Sequence, residues 1–227
     1  TLAAVEAELA RRTAQSGPAE QASRGQIIGA LRAVEHIRER HVGMCDTLLQ
    51  DVSTCSDTTS EIAAMCDEIA SLAEALNTLG HITPRSLDAM ACFGEQISSL
   101  LVTEAFRARG LATQHVDARE IVITSDHFTE AEPRPEVIAD RARERISPII
   151  RSGLVPVLGG YIGATDAGIT TTLGRGGSDY TASLLGAALG ADDIEIWTDV
   201  DGMLTADQRV VSNARLIPQI RFDEASE

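Results

Sequence analysis

One segment, residues 170–207 (TTTLGRGGSDYTASLLGAALGADDIEIWTDVDGMLTAD), constrains the fold more than any other part of the chain. It reads as strand, glycine-rich turn, helix, strand and acidic turn. Residues 170–173 are β-branched and apolar, which suits a strand. Gly174, Gly176 and Gly177 follow with Arg175 among them, and Ser178 is a good helix N-cap. Residues 180–189 then form an Ala/Leu-rich helical run, and 194–198 a second apolar strand that ends at Asp199 and Asp201. A helix that starts at such a turn points its orphan backbone N–H groups and the positive end of its dipole outward. With a guanidinium beside it, this is an anion site by construction.

The rest of the chain extends the pattern. Residues 1 to about 110 read as helical. Ile27, Ile28, Leu31, Val34 and Ile37 keep a spacing of three to four with Arg and Glu between them. Asp57 starts a further helix that Gly80 ends, and Thr83-Pro84 opens a third that runs to Gly110. From 111 to 227 strands and helices alternate. The strand candidates are 112–116, 121–124, 155–158, 169–173 and 194–198, with an amphipathic helix over Pro135–Arg151 and a proline-bearing loop over 130–136. Alternation of this kind predicts an α/β fold with a mainly parallel sheet and helices on both faces. Ligands in such sheets bind beyond the carboxyl ends of the strands, where residues 174–178 and 198–202 both fall.

The 227 residues carry a net charge of −15, which argues against nucleic acid or an anionic membrane as partner. No run of 18 apolar residues and no signal-peptide pattern is present, so the sequence reads as a soluble, cytoplasmic protein. Cys45, Cys55, Cys66 and Cys92 form no CxxC pair and have no histidine at ligand spacing, so no metal held by the protein is expected. They read as small buried residues with reduced thiols. His36, His41, His81, His115 and His127 match no ligand or triad pattern.

Two of these motifs together resemble the aspartate kinases of the amino-acid kinase superfamily: LGRGGSDYTA over 173–182 and IWTDVDG over 196–202, at the family's mutual spacing. The turn is neither a Walker loop nor GxGxxG. The likeness extends upstream to Gly160-Tyr161-Ile162-Gly163 and Cys92-Phe93-Gly94-Glu95, and downstream to Arg209-Val210-Val211 and residues 222–227. It is thin before about Leu79. The resemblance implies a three-layer αβα sandwich. Its amino-acid-binding part would lie mainly in the helical residues 1–110, and its nucleotide site in 111–227. The expected activity is ATP-dependent phosphorylation of the L-aspartate side chain to 4-phospho-L-aspartate, with Mg²⁺ on the phosphates, in a homo-oligomeric full-length enzyme. The rivals are another kinase of the superfamily and a non-catalytic ligand-binding or regulatory homologue.

The resemblance also implies roles, and each residue has a plainer reading beside it. Arg175, with Gly176, Gly177 and Ser178, would hold the substrate α-carboxylate; a surface arginine at a tight turn is the alternative. Glu95 would take the α-ammonium, or else is a solvated helix charge. Tyr161 would lie near the substrate, where the family usually has Phe, or is a packed aromatic. Asp179 would organise the cations around the phosphates, or simply stabilises the first helical turn. Thr198, Asp199, Leu204, Asp207 and Arg209 would meet ATP. Leu204 stands where tyrosine is usual and Gln208 where proline is, while Asp207 could merely hold its loop. All 19 basic residues are arginine, so the two lysines of the family pattern are missing. With the family's first strand and its regulatory ACT domains also unmatched, the chain reads as a partial catalytic domain, inactive by itself.

Overall fold

The computed structural model describes residues 18–198, 202–207 and 209–221. The chain divides into two compact units, Thr1–Asp192 and Asp193–Glu227.

The first unit begins with three long helices: α1 (Pro18–Leu48), α2 (Val52–Leu79) and α3 (Pro84–Ala108). Their ends are set by local chemistry. The Asp51 carboxylate accepts the Thr54 N–H at 2.8 Å and caps α2. The helix therefore starts five residues before the expected Asp57, because Asp-x-x-Thr is itself a start signal. Gly80, at φ +72°, closes α2 by donating its N–H to the Leu76 carbonyl. Thr83 and Ser86 form a reciprocal capping box around Pro84, which opens α3. A first core of Val34, Cys45, Leu49, Ile62, Cys66, Ile69, Ile97, Leu100 and Leu101 joins the three helices.

Beyond α3 come β1 (Thr113–His115), a single 3₁₀ turn (Ala118–Glu120), α4 (Pro135–Arg151), β2 (Val155–Val157), β3 (Ile162–Ala164), β4 (Thr170–Thr172) and α5 (Gly177–Leu189). This is the expected α/β class. β1 and β2 pair in parallel, Thr113 opposite Val155, whereas β3 and β4 pair antiparallel, Ile162 opposite Thr172. The expected strand over 121–124 forms only single bridges, Ile123 beside Ala164 and Thr124 beside Pro133. Gly163 lets it come that close: a Cβ there would lie 2.4 Å from the Val122 carbonyl oxygen. A second core, including Cys92, Val116, Ile121, Val122, Ile138, Ala142, Ile146, Ile162, Leu173 and Leu185, fills the space between sheet and helices.

Helix α3 serves both cores. Ile97 and Leu100 face the first, Cys92 faces the second, and Phe93 packs against each. A buried carboxylate fastens the start of α3 to the sheet. Asp88 is 1 % exposed and accepts hydrogen bonds from the Thr129 N–H (2.9 Å), the Thr172 N–H (3.1 Å) and the Thr172 hydroxyl (2.7 Å).

The second unit differs from expectation. Residues 194–198 form no strand, and Trp197 is 89 % exposed. An apolar run becomes a strand only where a neighbouring edge takes its N–H and C=O groups, and among the described residues no strand is paired with 194–197. The ordered contacts of this unit lie later. Leu204 bridges Leu216, Thr205 N–H donates to the Arg215 carbonyl at 2.9 Å, and Ile217 N–H donates to the Met203 carbonyl at 2.8 Å. Among the described residues no helix is long and apolar enough to cross a membrane.

Candidate functional site

The glycine-rich turn links β4 to α5 and carries one wall of a cavity of about 460 Å³. Gly174 and Gly176 both lie in the left-handed region, at φ +74° and +75°, which side-chain-bearing residues rarely adopt. Gly176, not Ser178, is the N-cap: α5 begins at Gly177, and no side chain caps it. The expectation for Ser178 fails because the turn closes through backbone alone, Gly177 N–H donating to the Gly174 carbonyl and Tyr180 N–H to the Gly176 carbonyl. Ser178 is thereby drawn into the first helical turn.

Glu95, Tyr161, Arg175, Gly176, Gly177, Ser178 and Asp179 all line this one cavity, together with Gly174. They come from three places in the sequence, and glycines bring them together. A Cβ on Gly159 would lie 2.9 Å from the Glu95 Cβ and 3.1 Å from its carbonyl oxygen. One on Gly160 would lie 2.9 Å from the Ser178 Cα, and one on Gly177 would lie 2.9 Å from the Tyr161 ring. The Gly159-Gly160 pair thus presses α3 and α5 against a single turn. Sequence reasoning gave it no role, although a glycine doublet at a strand end signals close backbone approach. Tyr161 itself sits at φ +69°. Its N–H donates to Thr181 Oγ1 at 3.1 Å, and the Thr181 hydroxyl donates to the Gly177 carbonyl at 2.7 Å. Thr181 is a second contributor that the sequence did not single out.

The electrostatics of the cavity are uncompensated. Glu95 is half-buried, and burial alone pushes its carboxyl above the ordinary value. Arg175 is exposed and, among the described residues, makes no ion pair or side-chain hydrogen bond. The two do not pair with each other. A desolvated carboxylate and a free guanidinium at a helix N-terminus present opposite charges to whatever enters between them. No three His, Cys, Asp or Glu side chains converge as a metal set among the described residues.

Of the remaining candidates, Leu204, Asp207 and Arg209 belong to the second unit with Thr198, and Asp199 lies outside the described residues. Asp207 accepts from Arg209 through its backbone N–H (2.8 Å), Nε (3.1 Å) and Nη2 (2.8 Å). The Arg209 hydrogen bonds hold the Asp207 carboxyl below its ordinary value. Leu204 is spent on the bridge to Leu216.

Comparison with known proteins agrees with this architecture. The model of the amino acid kinase family matches residues 19–227. The lysine-sensitive aspartokinase 3 of Escherichia coli is 44% identical over 167 residues, covering 74% of this chain and 36% of that protein. Chloroplastic aspartokinase 1 of Arabidopsis thaliana is 33% identical over 193 residues, or 84% of this chain and 33% of its own length. The crystal structure of Escherichia coli aspartokinase III with lysine and aspartate superposes with a TM-score of 0.75 at 37% identity, over 93% of this chain and 44% of that one. Its complex with aspartate and ADP gives 0.74 at 36%, over 89% of this chain and 42% of that one. The chain therefore spans about a third of the length of these curated relatives. With the match running through the helical half, the glycine turn and the second unit alike, this chain belongs to the amino acid kinase family.

Proposed function

We propose that this chain is the amino-acid-binding and nucleotide-binding part of an aspartate kinase, which makes 4-phospho-L-aspartate from L-aspartate and ATP. The observation that carries the reading is the single cavity that holds Glu95 and Arg175 unpaired. An α-amino acid presents one ammonium and one carboxylate, so its pocket needs one fixed anion and one fixed cation. Arg175 at the α5 N-terminus takes the α-carboxylate through its planar fork. Glu95 takes the α-ammonium, whose positive charge offsets the burial that pushes its carboxyl up. Tyr161 and residues 176–178 shape the floor. Relatives solved with aspartate, and with aspartate and ADP, support the choice of ligands.

The chemistry needs no general base. Aspartate's side-chain carboxylate, with an ordinary pKa of about 3.9, is ionised at neutral pH. Its oxygen forms the new P–O bond at the γ-phosphorus while the bond to ADP breaks, and ADP leaves with the bridging oxygen. The obstacle is an anion approaching a polyanion, so catalysis is positioning and charge neutralisation. Mg²⁺ arriving on the nucleotide would supply positive charge at the phosphates, in keeping with a cation that binds phosphates and only one or two carboxylates. Asp179, the other carboxylate at the cavity, orients the cationic groups. Thr198, Asp199, Leu204, Asp207 and Arg209 serve the nucleotide. The enzyme works in the cytoplasm as a homo-oligomer, and its product feeds lysine, threonine and methionine synthesis.

The test is Glu95→Gln in the full gene product. It keeps shape and removes charge, and should raise the aspartate KM by about 100-fold, as expected for a lost charge-assisted bond, with little change for ATP. Arg175→Lys should fail similarly. Unchanged aspartate kinetics in a well-folded Glu95→Gln enzyme would sink the reading.

A further inference from the structure

A second cavity, of about 360 Å³, backs onto the first across α3. Its lining includes Gln96, Asp117, Arg119 and Gly159. Glu95 and Gln96 are consecutive on the helix, so one turn of α3 presents Glu95 to the glycine-turn cavity and Gln96 to this one. Gly159 presses on that turn from its backbone side.

Arg119 grips the turn from the Gln96 side. Its hydrogen-bonding surroundings orient the Gln96 amide so that the oxygen faces the guanidinium and accepts from Arg119 Nη2 at 2.5 Å, with Nη1 and Nε each at 3.1 Å. Asp117 holds the guanidinium in place, accepting from Nε at 3.0 Å and from Nη2 at 2.6 Å. It also accepts the Arg119 backbone N–H at 2.9 Å, so both ends of the arginine are tied to one carboxylate. Nη1, which also faces Gln96, reaches Thr170 Oγ1 at 3.4 Å. Thr170 opens β4, the strand that delivers Arg175. One guanidinium therefore touches both the helix that carries the pocket's anion and the strand that carries its cation. Burial alone would raise the Asp117 carboxyl, but the Arg119 hydrogen bonds outweigh it and hold it below its ordinary value, so the clamp stays charged at neutral pH.

We propose that Arg119, held by Asp117, is a positioning residue that sets the separation of Glu95 and Arg175 through Gln96 and Thr170. The inference rests on the amino-acid-pocket reading above. Arg119 touches no substrate in this scheme. It acts by denying the Glu95 turn and the β4 start the freedom to drift apart, and a displacement of an ångström at such a pair is costly.

The experiment is a double-mutant cycle on the full gene product, reading L-aspartate affinity by calorimetry together with KM and kcat. Arg119→Gln should weaken aspartate about tenfold in the wild-type background and less than about twofold once Glu95→Gln is present, a coupling typical of residues in one network. The KM for ATP should stay constant. Gln96→Leu, which leaves the Asp117–Arg119 pair intact, should reproduce most of the loss and guards against a folding defect in the arginine variant. Arg119→Lys should not rescue, because an ammonium cannot hold Asp117 and Gln96 at once. Equal effects of Arg119→Gln in both backgrounds would overturn the inference and leave the pocket reading standing. Failure of the wild-type protein to bind L-aspartate would overturn both.

Discussion

The chain contains the same small device twice. In Asp117-Ala-Arg119 and in Asp207-Gln-Arg209 an aspartate accepts the backbone N–H and the guanidinium of the arginine two residues on. The backbone bond is 2.9 Å in one and 2.8 Å in the other, and the Nη2 bond 2.6 Å and 2.8 Å. Local geometry is therefore the same, and the surroundings are not. Asp117 and Arg119 are about one-third exposed and lean on Gln96 and Thr170, whereas Arg209 is 90% exposed and, among the described residues, meets only Asp207. Three residues suffice to write the clamp. What it does depends on partners 23 and 51 residues away in one case and on open solvent in the other, where an ion pair contributes little and is easily exchanged for a ligand phosphate.

Substitutions should separate the two copies. The largest effect is expected for Asp117→Ala, which strands Arg119 beside the second core. It should lower stability by about 1–2 kcal/mol, less than for a fully buried pair because a third of each side chain is wet. Equal melting temperatures for this variant and wild type would erase the distinction. Next comes acid. The Asp117 carboxyl titrates below its unfolded value of about 3.9, so its stabilisation is complete above that pH and lost as pH falls through the lower folded value. Stability measured from pH 5 down to pH 2.5 should therefore fall less steeply in Asp117→Asn than in wild type, and an unchanged slope would speak against the shift. Arg209→Ala should leave the melting temperature alone while raising the KM for ATP several-fold and that for aspartate little. A drop in melting temperature with both constants unaltered would mark Arg209 as structural. The smallest effect belongs to Asp207→Ala, whose melting curve should overlay that of wild type, since its pair is exposed and screened.

How much was legible in the sequence follows the same division between local and distant causes. The helix Pro135–Arg151 was readable to the residue, because a proline opens it and its apolar spacing is self-contained. The Gly80 stop and the Thr83-Pro84 start were readable for the same reason. The Asp51 start of α2 is equally local, but Asp57 offers the same kind of start signal six residues on, and only the capping bond to Thr54 distinguishes them. Strand 121–124 was not readable as single bridges, since only Gly163, forty residues on, decides how closely it can lie to β3. The run 194–198 looks like a strand to any pattern rule, yet a strand is a relation to a neighbour. At the cavity, the gathering of Glu95 with Arg175 came from the family resemblance. Its cause, the Gly159-Gly160 wedge between two helices, needs coordinates to see.

Tyr161 shows what such a pocket asks of evolution. A tyrosine held at φ +69° sits in a conformation that costs about 1–2 kcal/mol for a residue with a Cβ and almost nothing for glycine. Glycine would relieve that cost but give up the ring's packing against the second core. Stability and pocket geometry therefore both retain the very side chain that strains the backbone.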